Sequence, residues 1–140
     1  MALPPHLRLE FVTPERAIVH DDVDEVVIPG EDGYFGVLPG HAPLLAALGT
    51  GGLWYRKGAE KMYAFVAGGF AEVLQDRVAI LAPIAERAED IDAQRAEAAR
   101  HRAEERISRP VVEMDYERAR LALIKALARL QVSRHTRQRR

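Results

Sequence analysis

The sequence predicts an antiparallel β-sandwich followed by an antiparallel two-helix hairpin, a mixed fold with β-structure first and helices after it. Short runs of alternating apolar and polar residues recur between turn signals in residues 1–85. All 10 glycines lie before residue 70, and alanine dominates the rest. Residues 1–85 carry a net charge of −5 and residues 86–140 a net charge of +4, so we expect a domain boundary after residue 85.

The first predicted strand is LRLEFV. Leu7, Leu9 and Phe11 share one face and Arg8 and Glu10 the other, which is the period of a half-buried strand. The same reasoning predicts strands at RAIVH, DEVVIP, GLWYR, KMYAFVA, FAEVLQ and RVAILA. Glycine and proline pairs separate these runs. Many short strands at a spacing of roughly 8–12 residues are typical of a sandwich or barrel.

Two helices are predicted after the strands. Asp90 or Asp92 is placed to cap a helix ending near Ser108, and Asp115 to cap a second helix ending near Val132. Each helix carries an apolar stripe at three- and four-residue steps. The stripe residues are Ala96, Ala99, Ala103 and Ile107, then Ala119, Leu123, Ala126, Leu127 and Leu130. Alanine buries little apolar area, at about 25 cal/mol per Å², so we expect a weakly held hairpin that can open.

Four cations are predicted along one edge of this seam. At 100° per residue, Arg95 and Arg102 fall on one side of the first stripe. Lys125 and Arg129 fall on the flank of the second stripe that faces them in an antiparallel pair. Neither Lys125 nor Arg129 has an acidic residue three or four positions away. The pattern therefore predicts an anion-binding site beside the seam.

Ordinary surface charge is the alternative interpretation. Arg102 can pair with Glu105, and Arg95 with Asp92, along their own helix. For an anion, guanidinium forks match phosphate oxygens, and a carboxylate at a helix start can accept a hydrogen bond from an amino group. A nucleotide offers both groups.

Several segments resemble the epsilon subunit of bacterial F-type ATP synthases. They are DEVVIPGEDGYFGVLPGHAPLLAALGTGG, AGGFAEV and LAPIAERAEDIDAQRAEAARHRAEERI. The resemblance covers nearly the whole chain. It implies a β-sandwich over residues 1–85 and a regulatory helical hairpin with a basic tail over residues 86–140. It also implies a rotor subunit without a catalytic site, which couples ring rotation to the catalytic hexamer of a proton-translocating enzyme.

The partners implied by the resemblance are other subunits of that complex. The sandwich would bind the gamma subunit, near His41, and the c-subunit ring, near Glu31, Asp32 and Tyr34. The hairpin would permit activity when folded; extended toward the alpha and beta subunits, it would inhibit ATP hydrolysis. Since no signal peptide and no apolar run near the roughly 20 residues of a membrane span are present, we expect peripheral attachment through the complex, at the cytoplasmic face of the bacterial cell membrane.

The resemblance also implies a regulatory ATP site on the folded hairpin, with no cofactor required. The implied residues are Glu86, Ile91, Asp92, Arg95, Ala96, Arg102, Lys125 and Arg129. Asp92 would contact the adenine side, and the arginines the phosphate side. Lys125 stands where the strongest ATP binders of the family have arginine; it keeps the charge but loses the bidentate fork.

Other function classes are less favoured. A free-standing nucleic-acid binder, with a β-barrel and a basic helical arm, is the competing interpretation, but the acidic sandwich lacks a basic face interleaved with aromatics. The acidic residues 21–25 lack calcium-loop spacing, and the 5 histidines lack metal-ligand spacing, so no metal site is expected. The chain has no cysteine, so disulfides are excluded. The basic tail, residues 133–140, is interpreted either as a solvated end or, on its charge alone, as an arm that meets acidic surfaces of the beta subunits when the helices extend.

Overall fold

The fold consists of two five-stranded sheets packed face to face, followed by two helices, as predicted. The structure, a computed structural model, describes residues 2–109 and 113–136. The predicted tail therefore lies partly outside the described residues. The strands are β1 Leu7–Val12, β2 Ala17–Val23, β3 Glu25–Gly30, β4 Gly33–Val37, β5 Leu44–Ala47, β6 Thr50–Lys57, β7 Glu60–Ala67, β8 Phe70–Val73, β9 Arg77–Leu81 and β10 Ile84–Arg87. The helices are α1 Ala93–Ser108 and α2 Glu113–Ser133.

The first sheet has the order β2-β1-β9-β8-β5, and the second has the order β10-β7-β6-β3-β4. Paired strands are antiparallel except β1 and β9, which are parallel. Strands β4, β5 and β10 were not predicted. Strand β4 is interrupted by glycine, and β5, with the sequence LLAA, does not alternate. Strand β10 ends at Arg87, past the predicted boundary at residue 85, and so makes Glu86 a strand residue.

The sandwich core lies between the sheets. Strand β1 buries Leu7, Leu9 and Phe11 there, each 0% exposed, as its alternation predicted. The second half of β7, residues 64–67, is buried on both faces. Its Val66 joins the core between the sheets, while Phe65 faces outward and packs against α2. Burying one such side chain contributes about 1.5–3 kcal/mol. The second face of β7 provides the platform on which the hairpin rests.

The predicted N-terminal cap is found in α1 but not in α2. The Asp92 carboxylate accepts a hydrogen bond from the backbone N of Arg95 at 3.0 Å, so Asp92, and not Asp90, caps α1. The prediction that Asp115 caps the second helix is wrong, because α2 begins at Glu113. Asp115 lies instead in the first turn, where a negative charge still favours the positive end of the helix dipole.

The seam between the helices is lined by alanine. Ala96, Ala103, Ala119 and Ala126 are buried, with at most 4% of each exposed. Leu127 was predicted in the seam, but it is 48% exposed. At 100° per residue it lies well to the side of its own stripe, so it points outward while the neighbouring alanine takes the seam position.

Candidate functional site: a cationic cleft beside the hairpin

A cleft of about 480 Å³ opens beside the seam, between the two helices and β10. Its lining residues are Ile84, Glu86, Asp90, Asp92, Arg95, Ala96, Ala99, Arg102, Ala122, Lys125, Ala126 and Arg129. The structure thus brings together all of the proposed ATP-site residues except Ile91. Ile91 packs, partly buried, in the apolar cluster under α2.

Three cations in the cleft are free of partners within the described residues. The side chains of Arg95, Arg102 and Lys125 form no hydrogen bond or ion pair there. In particular, the pairs with Asp92 and Glu105, on which the surface-charge alternative depends, are not formed. The cleft therefore presents three cations that form no direct pair with the acidic residues of its lining, Glu86, Asp90 and Asp92.

Arg100, on the same helix, shows the contrast. Its guanidinium donates to Glu97, and it lies 2.8 Å from the carboxylate of Glu104. The hydrogen bond to Arg100 lowers the pKa of Glu97, and the same bond raises the pKa of the Arg100 guanidinium. Arg100 is a paired surface charge of the kind found along many helices, and the cleft cations are not.

The fourth cation, Arg129, is paired across the two domains. Its Nε donates to Glu86 Oε1 at 2.6 Å, and its guanidinium carbon lies 4.5 Å from the centroid of the Phe65 ring. Both charged side chains are 29% exposed. Helix spacing alone leaves Arg129 without an acidic partner, because Glu86 is 43 residues away along the chain.

Five lining residues were not predicted as site residues. They are Ile84, Asp90, Ala99, Ala122 and Ala126. The alanines leave space between the cationic side chains. Ala99 and Ala126 belong to the stripe that predicted the seam, whereas Ala122 lies outside it. Asp90 lies 3.3 Å from Arg16, which connects the cleft rim to the turn between β1 and β2.

Comparison with known proteins identifies the family. Residues 6–88 match the model of the β-sandwich domain of the ATP synthase delta/epsilon chain, and residues 89–134 match its long α-helix domain. The chain belongs to the ATP synthase delta/epsilon family. It is therefore a non-catalytic subunit of that complex, and the nucleic-acid alternative has no support.

The relatives of this delta/epsilon-family chain include bacterial proteins named ATP synthase epsilon chain. The one from Nitratidesulfovibrio vulgaris is 48% identical over 126 residues, which cover 90% of this chain and 94% of the relative. The one from Solibacter usitatus is 50% identical over 128 residues, covering 91% and 96%. The match extends over both domains.

Solved structures show the same fold. A chain in the Euglena gracilis mitochondrial ATP synthase, a structure of its OSCP, F1 and c-ring, superposes with a TM-score of 0.83 and 25% identity, covering 96% of this chain and 85% of that one. A chain in the Tetrahymena thermophila central stalk and c-ring superposes with a TM-score of 0.65 and 11% identity, covering 94% and 99%. The second likeness shows the fold alone.

The predicted subunit contacts of this delta/epsilon-family chain lie away from the cleft. His41 Nδ1 lies 2.6 Å from the carbonyl oxygen of Ala42, in the loop that leads into β5. Glu31 and Asp32 are exposed in the turn between β3 and β4. Tyr34, 62% exposed, lines a groove beside the C-terminal end of α2.

The carboxylates of the acidic segment at residues 21–25 accept hydrogen bonds from the protein itself. Lys57 Nζ donates to Asp21 at 2.6 Å, which lowers the pKa of Asp21. The backbone N of Gly58 donates to Asp24 at 2.7 Å, which lowers the pKa of Asp24. In the part of the chain that the structure describes, no group of three or more His, Asp or Glu side chains is arranged to hold a metal ion.

Proposed function

We propose that this chain is a rotor subunit of the central stalk whose helical hairpin senses ATP and regulates ATP hydrolysis. The observation that supports this is the cleft itself. Arg95, Arg102 and Lys125 converge on it without partners among the described residues, and the capping carboxylate of Asp92 lies on the same rim. The three cations would bind a polyphosphate, and the carboxylate would accept a hydrogen bond from an amino group of the same ligand.

The size and chemistry of the cleft suit a nucleotide. Pockets for small ligands range from about 300 to 1,000 Å³, and this one falls inside that range. Arginine forks hold phosphate oxygens at two points, whereas the lysine ammonium acts as a point charge. We therefore propose that Arg95, Arg102 and Arg129 orient the phosphates and that Lys125 contributes charge with less geometric selectivity.

Ligand binding would favour the folded hairpin by linkage. The cleft takes residues from both helices and from β10, so it exists only when the hairpin lies against the sandwich. A ligand that binds this form alone stabilises it by about 2.7 kcal/mol at a hundredfold excess over its Kd. ATP would thereby oppose the extended, inhibitory form.

The gamma subunit is proposed to bind the outer face of the first sheet. Leu45, Phe70 and Leu81 are 72%, 58% and 57% exposed there, and they line one shallow depression. Exposed apolar patches of this kind mark protein interfaces. The His41 loop continues directly into β5, which carries Leu45. A surface formed by these residues would fix the sandwich to the stalk.

Contact with the c ring is assigned to the exposed turn at Glu31 and Asp32, and peripheral attachment at the cytoplasmic face would follow from it. Among the described residues, no helix is long and apolar enough to cross a membrane. Tyr34 also lines the groove beside the C-terminal end of α2, so a ring that contacts Tyr34 would lie next to this helix.

Calorimetric titration of the isolated protein with ATP tests the ligand proposal. Wild type should bind one ATP without hydrolysing it. Arg95→Ala and Arg129→Ala should each weaken binding about ten- to a hundredfold, because each removes a charge-assisted hydrogen bond. Lys125→Arg should tighten binding, because it restores a bidentate fork.

Arg100→Ala is the matched control. It removes an arginine from the same helix, but one that is already paired with Glu97 and Glu104 outside the cleft. Its ATP affinity should equal that of wild type. Equal losses in the Arg95 and Arg100 variants would mean that net charge, and not the cleft, attracts the nucleotide.

A further inference from the structure

The hairpin is attached to the sandwich through the C-terminal end of α2. Of the two helices, α2 makes the main contact with β6 and β7. Val132 is 2% exposed and packs in a cluster with Phe65 and Ala88. The ring of His135 stacks on Tyr63, with 3.9 Å between centroids and 13° between planes. The attachment is therefore concentrated at one end of one helix.

A glycine in β6 permits this close approach. A Cβ built on Gly52 would lie 2.9 Å from Cγ2 of Val132, closer than such atoms come in proteins. Valine has few rotamers in a helix, so its methyl group cannot easily turn away. The missing side chain at Gly52 thus forms a notch in the second sheet that receives Val132.

The notch carries a large share of the docking contact. In the described parts of α1 and α2, the other buried side chains are alanines, at positions 96, 103, 119 and 126. Those alanines hold one helix against the other. Val132 instead holds the two helices against the sandwich, and it is the only buried side chain larger than alanine in the described parts of the two helices.

We propose that Gly52, Val132, Tyr63 and His135 form a latch that sets the ratio of folded to extended hairpin. None of the four lines the cationic cleft. The latch rests on the proposed function for the extended form of the hairpin and for its effect on binding: a ligand specific for the folded hairpin binds in proportion to how much of that form exists. The latch would tune ATP sensing without touching ATP.

Thiol labelling measures the latch directly, because the chain has no cysteine of its own. Ala67 is 5% exposed on β7, inside the cluster under α2. A full chain carrying Ala67→Cys should react with a thiol reagent only when α2 lifts. Adding Val132→Ala should raise the labelling rate about tenfold, since it removes two buried methyl groups. Adding Gly52→Ala should raise it less, because some shift of Val132 can relieve the contact.

Two matched controls separate the latch from general damage. Leu127→Ala truncates an exposed residue of the same helix. Gly36→Ala adds a methyl group in the same sheet, where the new Cβ would lie 3.8 Å from Val27, an ordinary contact. Both should label at the parent rate. The fluorescence of Trp54, the single tryptophan, gives a second readout, because Trp54 lines the groove with Val132 and His135.

The double variant Gly52→Ala with Val132→Ala tests the contact itself. Alanine at position 132 has no Cγ2, so the added methyl at position 52 should then cost little, and the two rate increases should not multiply. If the two substitutions instead raised the labelling rate independently, so that their effects multiplied, the proposed steric contact between Gly52 and Val132 would be wrong. Unchanged labelling and unchanged Trp54 emission in both single variants would overturn the latch.

Titration with ATP distinguishes failure of the latch from failure of the proposed ligand. If wild type binds no ATP but the latch variants still label faster, the ligand proposal fails and the latch stands. If wild type binds ATP but the latch variants neither label faster nor bind more weakly, the latch fails and the ligand proposal stands.

Discussion

The sandwich and the hairpin differ in what they bury. The sandwich excludes water from large side chains such as Phe11, Leu9 and Ile80, each at most 1% exposed. The seam of the hairpin buries alanines instead. Apolar burial stabilises in proportion to area, so the sandwich has a large reserve of stability and the hairpin a small one. A chain built this way can keep one domain fixed while the other changes position.

Charge follows the same division. The hairpin region is net positive and the sandwich net negative, and Arg129 with Glu86 joins the two through one ion pair. An ion pair that is still 29% exposed on each side contributes modestly, because water screens it. Arg129 can therefore exchange the Glu86 carboxylate for another anion at a low cost in free energy. The weaker domain therefore holds the groups that are free to bind a ligand.

Phe11→Ala should have the largest effect: it should destabilise the sandwich, so that both domains unfold together at a lower urea concentration. Truncating a fully buried phenylalanine costs about 3–5 kcal/mol, through lost burial and the cavity that remains. Urea denaturation followed by circular dichroism measures this loss. Leu121→Ala, at a residue that is 52% exposed, is the control and should change stability by about 0.5 kcal/mol or less. A hairpin signal that survived loss of the sandwich would contradict the dependence of the hairpin on its platform.

Asp92→Ala should have a smaller effect confined to the hairpin. It removes the side-chain cap of α1, which costs about 1 kcal/mol. Hydrogen exchange without ligand should quicken in the first turn of α1 and stay unchanged in β1 and β7. Asp90→Ala is the matched control, since Asp90 pairs with Arg16 and does not cap the helix. Equal effects of the two substitutions would argue against the cap.

The fold was predictable where alternation or periodicity was strong. Strand β1 and the alanine seam followed directly from spacing. The missed strands β4, β5 and β10 lack that signal: their pairing is set by neighbours such as Val26 with Val37 and Val66 with Ala85, which lie far apart or across a turn. Such strands are formed by their tertiary partners more than by their own pattern.

The cleft was predictable to the extent that it follows helix geometry. The directions of Arg95, Arg102, Lys125 and Arg129 came from 100° per residue, and the structure places all four in one cleft. The ion pair to Glu86 and the Gly52 notch were not predictable. Both depend on how the hairpin sits on the second sheet, and no local spacing encodes that contact.

The smallest predicted effect is on the stability of the sandwich at acid pH, through the carboxyl group of Asp24. The hydrogen bond from the backbone N of Gly58, with a second contact from His6, lowers the pKa of Asp24 below its ordinary 3.8. The folded state therefore holds the charged carboxylate more strongly than the unfolded state does. This stabilisation is complete above pH 3.8 and is lost as the pH falls through the lower folded-state pKa.

Asp24→Asn should therefore reduce the loss of sandwich stability between about pH 6 and about pH 3, because it removes the titrating group but keeps an acceptor for Gly58. Thermal melts at the two pH values measure the difference. Glu97→Gln makes the same change in the hairpin, where Arg100 lowers the pKa of Glu97. It should leave the acid response of the sandwich transition as in wild type. If Glu97→Gln altered that transition as much as Asp24→Asn, the two domains would share one stability, and the separation between a fixed sandwich and a movable hairpin would be lost.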